Sequence, residues 1–383
     1  MIAAKARNIY ESRRMSGWKI FPACLVAWAI FSGGSFCPAA DAQGPFYQQT
    51  DLVSDIPGYA LHTDAHLVNP WGLAHSPSGP WWVSDNRAGI ATMYSGEGEP
   101  LPENTPLVVT IPPPAETMAQ ATPTGIVFNG TRDFEVARGM PARMIFVTED
   151  GTISAWSPAG NPRNAVLKVD NSQKGTGSVY KGAAIAFSHG LLHLYVTNFR
   201  NGSVDVFNSD FGAIGLRGGA FTDPEIPDGF APFNIMNIDG KLLVTFARQD
   251  SAKRDDVVGA GNGYADLFTA EGKLILRLSH GPWLNSPWGI ALAPEKFGEF
   301  SKHILLGNYG SGQIACFDPD NGAYKGMLKG KNGQPITING LWGLAFGNWG
   351  GAGPGNTLFF SAGINDKRDG LVGSLTAMDN DQR

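Results

Sequence analysis

Asp85, Glu149, Asn198 and Asn308 each close a short apolar run, and each is followed within a few residues by a glycine. Side-chain oxygens at one register of a repeated pattern can converge on an axis, where they suit a hard cation such as Ca2+ or Mg2+. Such a cation would support a metal-assisted hydrolase or lyase, with Asp64, His62 or Asp256 supplying acid or base. The same residue types have an ordinary role, because Asp and Asn before glycine bond their own backbone in turns. His62 and His66 stand four apart around Asp64, which on a helix is a metal-ligand spacing, but no helical periodicity surrounds them. The chain has no Gly-x-Ser-x-Gly elbow, His-Glu-x-x-His pair or phosphate loop, so nucleophilic catalysis lacks a motif.

A second group suits binding. Trp71, Trp288 and Trp342 occupy equivalent places in near-copies of one element, Asn69-Pro70-Trp71-Gly72, Ser286-Pro287-Trp288-Gly289 and Gly340-Leu341-Trp342-Gly343. They are read as wedges packed between repeats, with an aromatic ligand rim as the alternative. Lys181 stands in the slot that holds tryptophan elsewhere. Arg248 precedes a charged insertion, residues 249–263, that carries Asp256 and several glycines. A long charged loop with glycine hinges is a candidate lid or partner-binding loop, and a tolerated surface insertion is the competing reading.

These residues are positioned by a repeat. Gly72, Gly125, Gly182, Asn234, Gly289 and Gly343 mark successive copies roughly 52 to 57 residues apart, a period of propeller or solenoid arrays. Within each copy, short β-branched and aromatic runs alternate between Gly, Pro, Asn and Asp turns, as strands and hairpins do. Helix is expected at most as one turn near residues 295–300. Six copies of three or four strands predict an all-β, six-bladed β-propeller. The last copy lacks an outer strand, and residues 46–54 form a strand without a partner in their own copy. That strand is expected to pair in the last blade and close the ring, which otherwise leaves open sheet edges. Glycine in the opening element is expected where inner strands crowd the axis.

Residues 1–42 read as a secretory signal: Lys5, Arg7, Arg13, Arg14 and Lys19, then an apolar stretch, then Ala40-Asp41-Ala42. Residues 43–383 are expected to form a single exported domain, periplasmic or extracellular, with no stable membrane span after signal cleavage. The formal net charge is −5, and the leader is basic, so the remainder is more acidic still. That argues against nucleic acid as a partner. Cys316 is left without a second cysteine in the domain and alternates with Ile314 as a small buried hydrophobe does.

Residues 52–373 resemble an exported bacterial β-propeller family of unassigned function. The likeness rests on Leu52-Val53-Ser54-Asp55-Ile56-Pro57, Asn69-Pro70-Trp71-Gly72, Asp255-Asp256, Gly261-Asn262-Gly263, Ser286-Pro287-Trp288-Gly289 and Gly340-Leu341-Trp342-Gly343-Leu344. More distantly the repeats resemble NHL-repeat, gluconolactonase-like and streptogramin-lyase-like propellers, whose strand ends are similar to Phe146-Val147-Thr148-Glu149. Gluconolactonase-like enzymes place a metal-binding glutamate in the first inner strand, where this chain has Pro70-Trp71-Gly72. The resemblance therefore implies a fold and export, not a reaction. The expectation is a monomeric propeller binding a small molecule or exported protein partner at one mouth of its channel, through Trp71, Lys181, Arg248, Asp256, Trp288 and Trp342. The metal-assisted enzyme is the alternative.

Overall fold

Six antiparallel sheets follow one another along the chain, and a computed structural model describes them over residues 45–378. The expected leader, residues 1–42, lies outside the described residues. In the first blade Pro70–Ala74 is innermost, followed outward by Trp81–Asp85, Ile90–Tyr94 and Val108–Thr110. The next four blades repeat this order, with inner strands Pro123–Phe128, Tyr180–Ser188, Phe230–Ile238 and Pro287–Leu292. The sixth contributes Leu341–Phe346, Thr357–Ala362 and Leu371–Met378, and takes its outer strand from the N-terminal side as Phe46–Ser54.

That closing strand runs antiparallel to Leu371–Met378 from Phe46 opposite Met378 to Ser54 opposite Leu371. Side chains reinforce it: Ser54 Oγ donates to the Gly370 carbonyl at 2.8 Å, and Tyr47 Oη donates to the Phe297 carbonyl in the fifth blade at 2.9 Å. Sequence reading missed a short fifth strand, His62–Thr63, parallel to the closing strand. It also missed a left-handed turn, Ile364–Lys367, whereas the turn near 295–300 is present as Gly298–Phe300.

The core is divided by blade. Six apolar clusters fill the six seams between neighbouring blades, and a seventh occupies the axis. Cys316 lies in the seam between the fifth and sixth blades, fully buried among aliphatic and aromatic neighbours. Each interior side chain removed from water contributes about 1.5–3 kcal/mol, so cohesion comes from seams that every blade shares with two others.

Crowding at the axis explains the repeated glycine. A Cβ on Gly72 would lie 2.6 Å from the Thr124 carbonyl oxygen of the next blade, and one on Gly343 would lie 2.5 Å from that of Trp71. The fourth blade has Asn234 instead, and its amide donates to the Trp288 carbonyl of the following blade at 2.6 Å. A second feature was not legible in the repeat. Every inner strand slips register against its neighbour at this point. Such bulges re-aim the adjacent side chain, here Trp71, Thr124, Lys181, Phe233, Trp288 and Trp342.

Candidate functional site

All inner strands start at the same end of the channel, and the residues just before the glycine positions meet there. The Trp71 and Trp342 rings stack at 3.6 Å, Tyr309 stacks on Trp342 at 4.0 Å, and Trp288 stands edge-on to Trp71 at 5.6 Å. Phe233 packs against Trp342 and Phe199. The tryptophans are thus neither wedges between blades nor a solvent-facing rim. They fill the axis and are essentially inaccessible.

Lys181 completes this plug. Its side chain is 1% exposed, and its ammonium lies 5.1 Å from the Trp71 ring centre, 5.6 Å from Phe199 and 6.0 Å from Phe233. A buried charge needs a partner, and Glu149 Oε1 accepts from Lys181 Nζ at 2.5 Å. Burial alone would raise the Glu149 pKa; the charge and hydrogen bond of Lys181 outweigh it and hold the carboxyl below its ordinary range. Glu149 Oε2 accepts from Asn86, whose Oδ1 accepts from Asn69, whose Oδ1 accepts from the Trp342 indole, at 3.1, 3.0 and 3.1 Å. One line of hydrogen bonds therefore runs through the third, second, first and sixth blades.

The insertion covers this end, as its length and charge predicted. Asp250 Oδ1 accepts from the amides of Arg254 and Asp255, which folds the tip back on itself. The tip reaches inward: Arg254 donates to the Glu149 carbonyl at 3.4 Å, and an Asp255 carboxylate oxygen lies 3.9 Å from Lys181 Nζ. Asp256 Oδ2 is buried without a hydrogen-bond partner, as are Ser286 Oγ and the indole nitrogens of Trp71 and Trp288. Burial raises the Asp256 pKa, eased by the Ser286 hydroxyl beside it and by Lys181. Ser286 also holds a left-handed backbone, φ 50°, unusual for serine. At the open edge of this end, Asn69, Asn86, Arg87, Thr122 and Lys367 line a polar hollow of about 340 Å³.

Each of the four residues expected as cation ligands has a hydrogen-bond partner of its own. Asp85 is fully buried and accepts from Thr92 Oγ1 at 2.8 Å, with its pKa raised by burial. Asn198 is bonded to Ser178 and Asp205 in its own blade, and Asn308 shapes its own turn through Asn285, Trp283 and Gln313. Glu149 is taken by Lys181. Three of the four thus have the turn or strand role open to such residues, and among the described residues no group of three or more His, Cys, Asp or Glu is arranged to hold a metal. His66 bonds Asp64 at 2.9 Å, while Asp64 also accepts from Tyr94, away from the axis. Arg248 is exposed at the base of the insertion, where its carbonyl accepts from the Val257 amide.

No family model matches the chain. Two proteins of Acanthamoeba polyphaga mimivirus do: "Uncharacterized protein R648", 32% identical over 85% of this chain and 78% of its own, and "Uncharacterized protein L690", 32% identical over 85% and 84%. The chain belongs to their family. The members identified are named as uncharacterised proteins of a virus, so neither the bacterial nor the exported property expected from the motifs is shown. Among solved structures, a glucose dehydrogenase has a TM-score of 0.51 at 11% identity over 85% of this chain and 99% of its own. A streptogramin B lyase scores 0.49 at 14% identity over 87% and 98%. The first likeness speaks to the propeller fold alone.

Several residues of the covered end escaped the sequence reading. Phe199 and Tyr309 each directly follow an aligned asparagine, Asn198 and Asn308, a register signal that finds both. Ser286 shares its place before the inner strand with Asn69, also left-handed at φ 51°. Arg254 carries no signal beyond membership of a charged loop, and Asp255 only that of the Asp255-Asp256 pair.

Proposed function

We propose that this propeller binds a small molecule at the covered end of its axis, beneath the tip formed by residues 249–256. The observation that carries this reading is the concentration of buried polar atoms without partners: Asp256 Oδ2, Ser286 Oγ and the indole nitrogens of Trp71 and Trp288. Folded proteins leave few such groups, because each costs about 1–3 kcal/mol when unsatisfied. Ten such atoms are found among the described residues, and we read the four that gather at the Lys181 end of the axis as groups whose hydrogen bonds are supplied from outside. The metal-assisted alternative is less well supported, since three of its four ligands are committed to their own strands and turns.

Mass spectrometry of the supernatant after denaturing purified protein tests the reading, together with melting measured in millimolar acetate, D-glucose or methylammonium. Release of a stoichiometric small molecule, or a raised melting temperature lost in Ser286→Ala, supports it. No release and no shift with any probe overturns it. Export of the domain to the periplasm or outside the cell is also proposed, from the basic, apolar and small-residue order of residues 1–42. N-terminal sequencing of fractionated protein tests it: a start near Gln43 supports export, and an intact residue 1 on cytosolic protein refutes it.

A further inference from the structure

The unpartnered groups beneath the loop share a polarity. Indole nitrogens only donate hydrogen bonds, and a hydroxyl donates as readily as it accepts. Trp71 and Trp288 therefore present two donors with nothing to receive them, and the Ser286 hydroxyl lies beside Asp256. The Lys181 ammonium has three N–H groups, and Glu149 Oε1 engages it at 2.5 Å. The second carboxylate within reach, Asp255, stands at 3.9 Å, too far for a hydrogen bond. Its side chain is 53% exposed against 1% for Lys181, so it reaches in from solvent on a loop, and pairs of that kind are weakly held. An ammonium behind indole donors, with an ill-seated carboxylate from a lid, has the form of a carboxylate receptor holding a substitute.

We propose that the ligand of the covered end is a small carboxylate, whose place at Lys181 is taken by Asp255 in the unliganded protein. This rests on reading that end as a ligand seat. A cationic ligand would face Lys181 in a cage that already holds one cation. A neutral polyol would need acceptors for its own hydroxyls, and Asp256 Oδ2 is the one unpartnered carboxylate oxygen there.

Isothermal titration of the full chain with sodium acetate, D-glucose and methylammonium chloride tests the assignment in the wild type, Asp255→Ala and Asp255→Ala/Trp288→Phe. Removing the substitute should tighten acetate binding by about tenfold or more, and replacing the indole by a ring without N–H should reverse part of that gain, by roughly threefold to tenfold. Asp255 lies on a half-exposed loop tip and Trp288→Phe keeps an aromatic ring, so both variants should fold. Equal acetate affinity in wild type and Asp255→Ala, or tighter binding of glucose or methylammonium than of acetate, overturns the carboxylate while leaving a ligand seat standing. Binding of none of the three, with no small molecule released on denaturation, overturns both.

Discussion

The two ends of the channel are made from opposite ends of the same inner strands, yet they differ in kind. Beyond the tryptophan plug, Leu73, Ile126, Ile235, Met236, Ile290 and Leu344 line an open well of about 370 Å³. Most of its residues obey the repeat, with aliphatic side chains and glycine recurring from blade to blade, and Asn234 is a departure. At the covered end the repeat is broken in three blades, by Thr124, Lys181 and Phe233, and a loop closes over the result. Where every blade repeats the same choice, the residue serves packing that every seam requires. In the third blade the departure, Lys181, brings charge to the axis, and a charge there needs a dedicated partner.

That contrast can be broken in steps. The largest effect is expected from deleting residues through Ser54, which removes the closing strand and opens both ends at once. Cooperative thermal melting should disappear, and an unchanged transition would show that the ring closes without its clasp. Next, Glu149→Ala should disturb only the covered end, leaving Lys181 buried without its hydrogen-bonded partner at a cost of about 3–5 kcal/mol in urea unfolding. The double variant Lys181→Met/Glu149→Gln should recover most of this loss. A single-variant cost below about 1 kcal/mol would remove the pair from any role in holding the axis.

A smaller effect, about 1–3 kcal/mol by overpacking, is expected for Gly343→Ala, since the new methyl meets the Trp71 carbonyl oxygen. A well-wall substitution that conserves volume, Met236→Leu, should cost less. Equal costs for the two would refute the claim that backbone crowding, rather than side-chain packing, fixes the glycine. The smallest effect concerns pH. Asp256 has a raised folded pKa, so the folded state binds its proton more tightly. Its contribution is complete below the ordinary carboxylate range and is lost as pH rises through the folded value. Stability of Asp256→Asn relative to wild type should therefore grow as pH rises from acid toward neutral, and a difference independent of pH would contradict the buried placement. Glu149 has the opposite sign: its contribution is present above the ordinary range and lost as pH falls through its depressed value.

The architecture was legible because strands and their turns are written locally. Ile90–Tyr94, Met144–Thr148, Thr152–Trp156 and Ser203–Phe207 occupy the spans that alternation and turn residues predict. The clasp followed from counting an unpaired strand at one end against a missing one at the other. The covered end was legible only in outline. Lys181 stood out as a departure, and the insertion as a lid over the same end. That Lys181 would lie inside the plug depends on a register slip in the inner strand, which leaves no mark in an apolar run. The cation quartet shows the converse: equal register in sequence brought four residues to equivalent corners, where Asn198 and Asn308 bond groups of their own blade or turn, and Asp85 bonds Thr92 through Oδ2 while its Oδ1 has no partner.

The pairing of Phe46 with Met378 has a consequence for attachment. Both residues leave the sheet at the same corner of the sixth blade, on the side of the open well. That corner stands on the side opposite the loop-covered face. A tag, a surface linkage or a neighbouring domain fixed there would hold the protein by its well side and leave the approach to Lys181 clear.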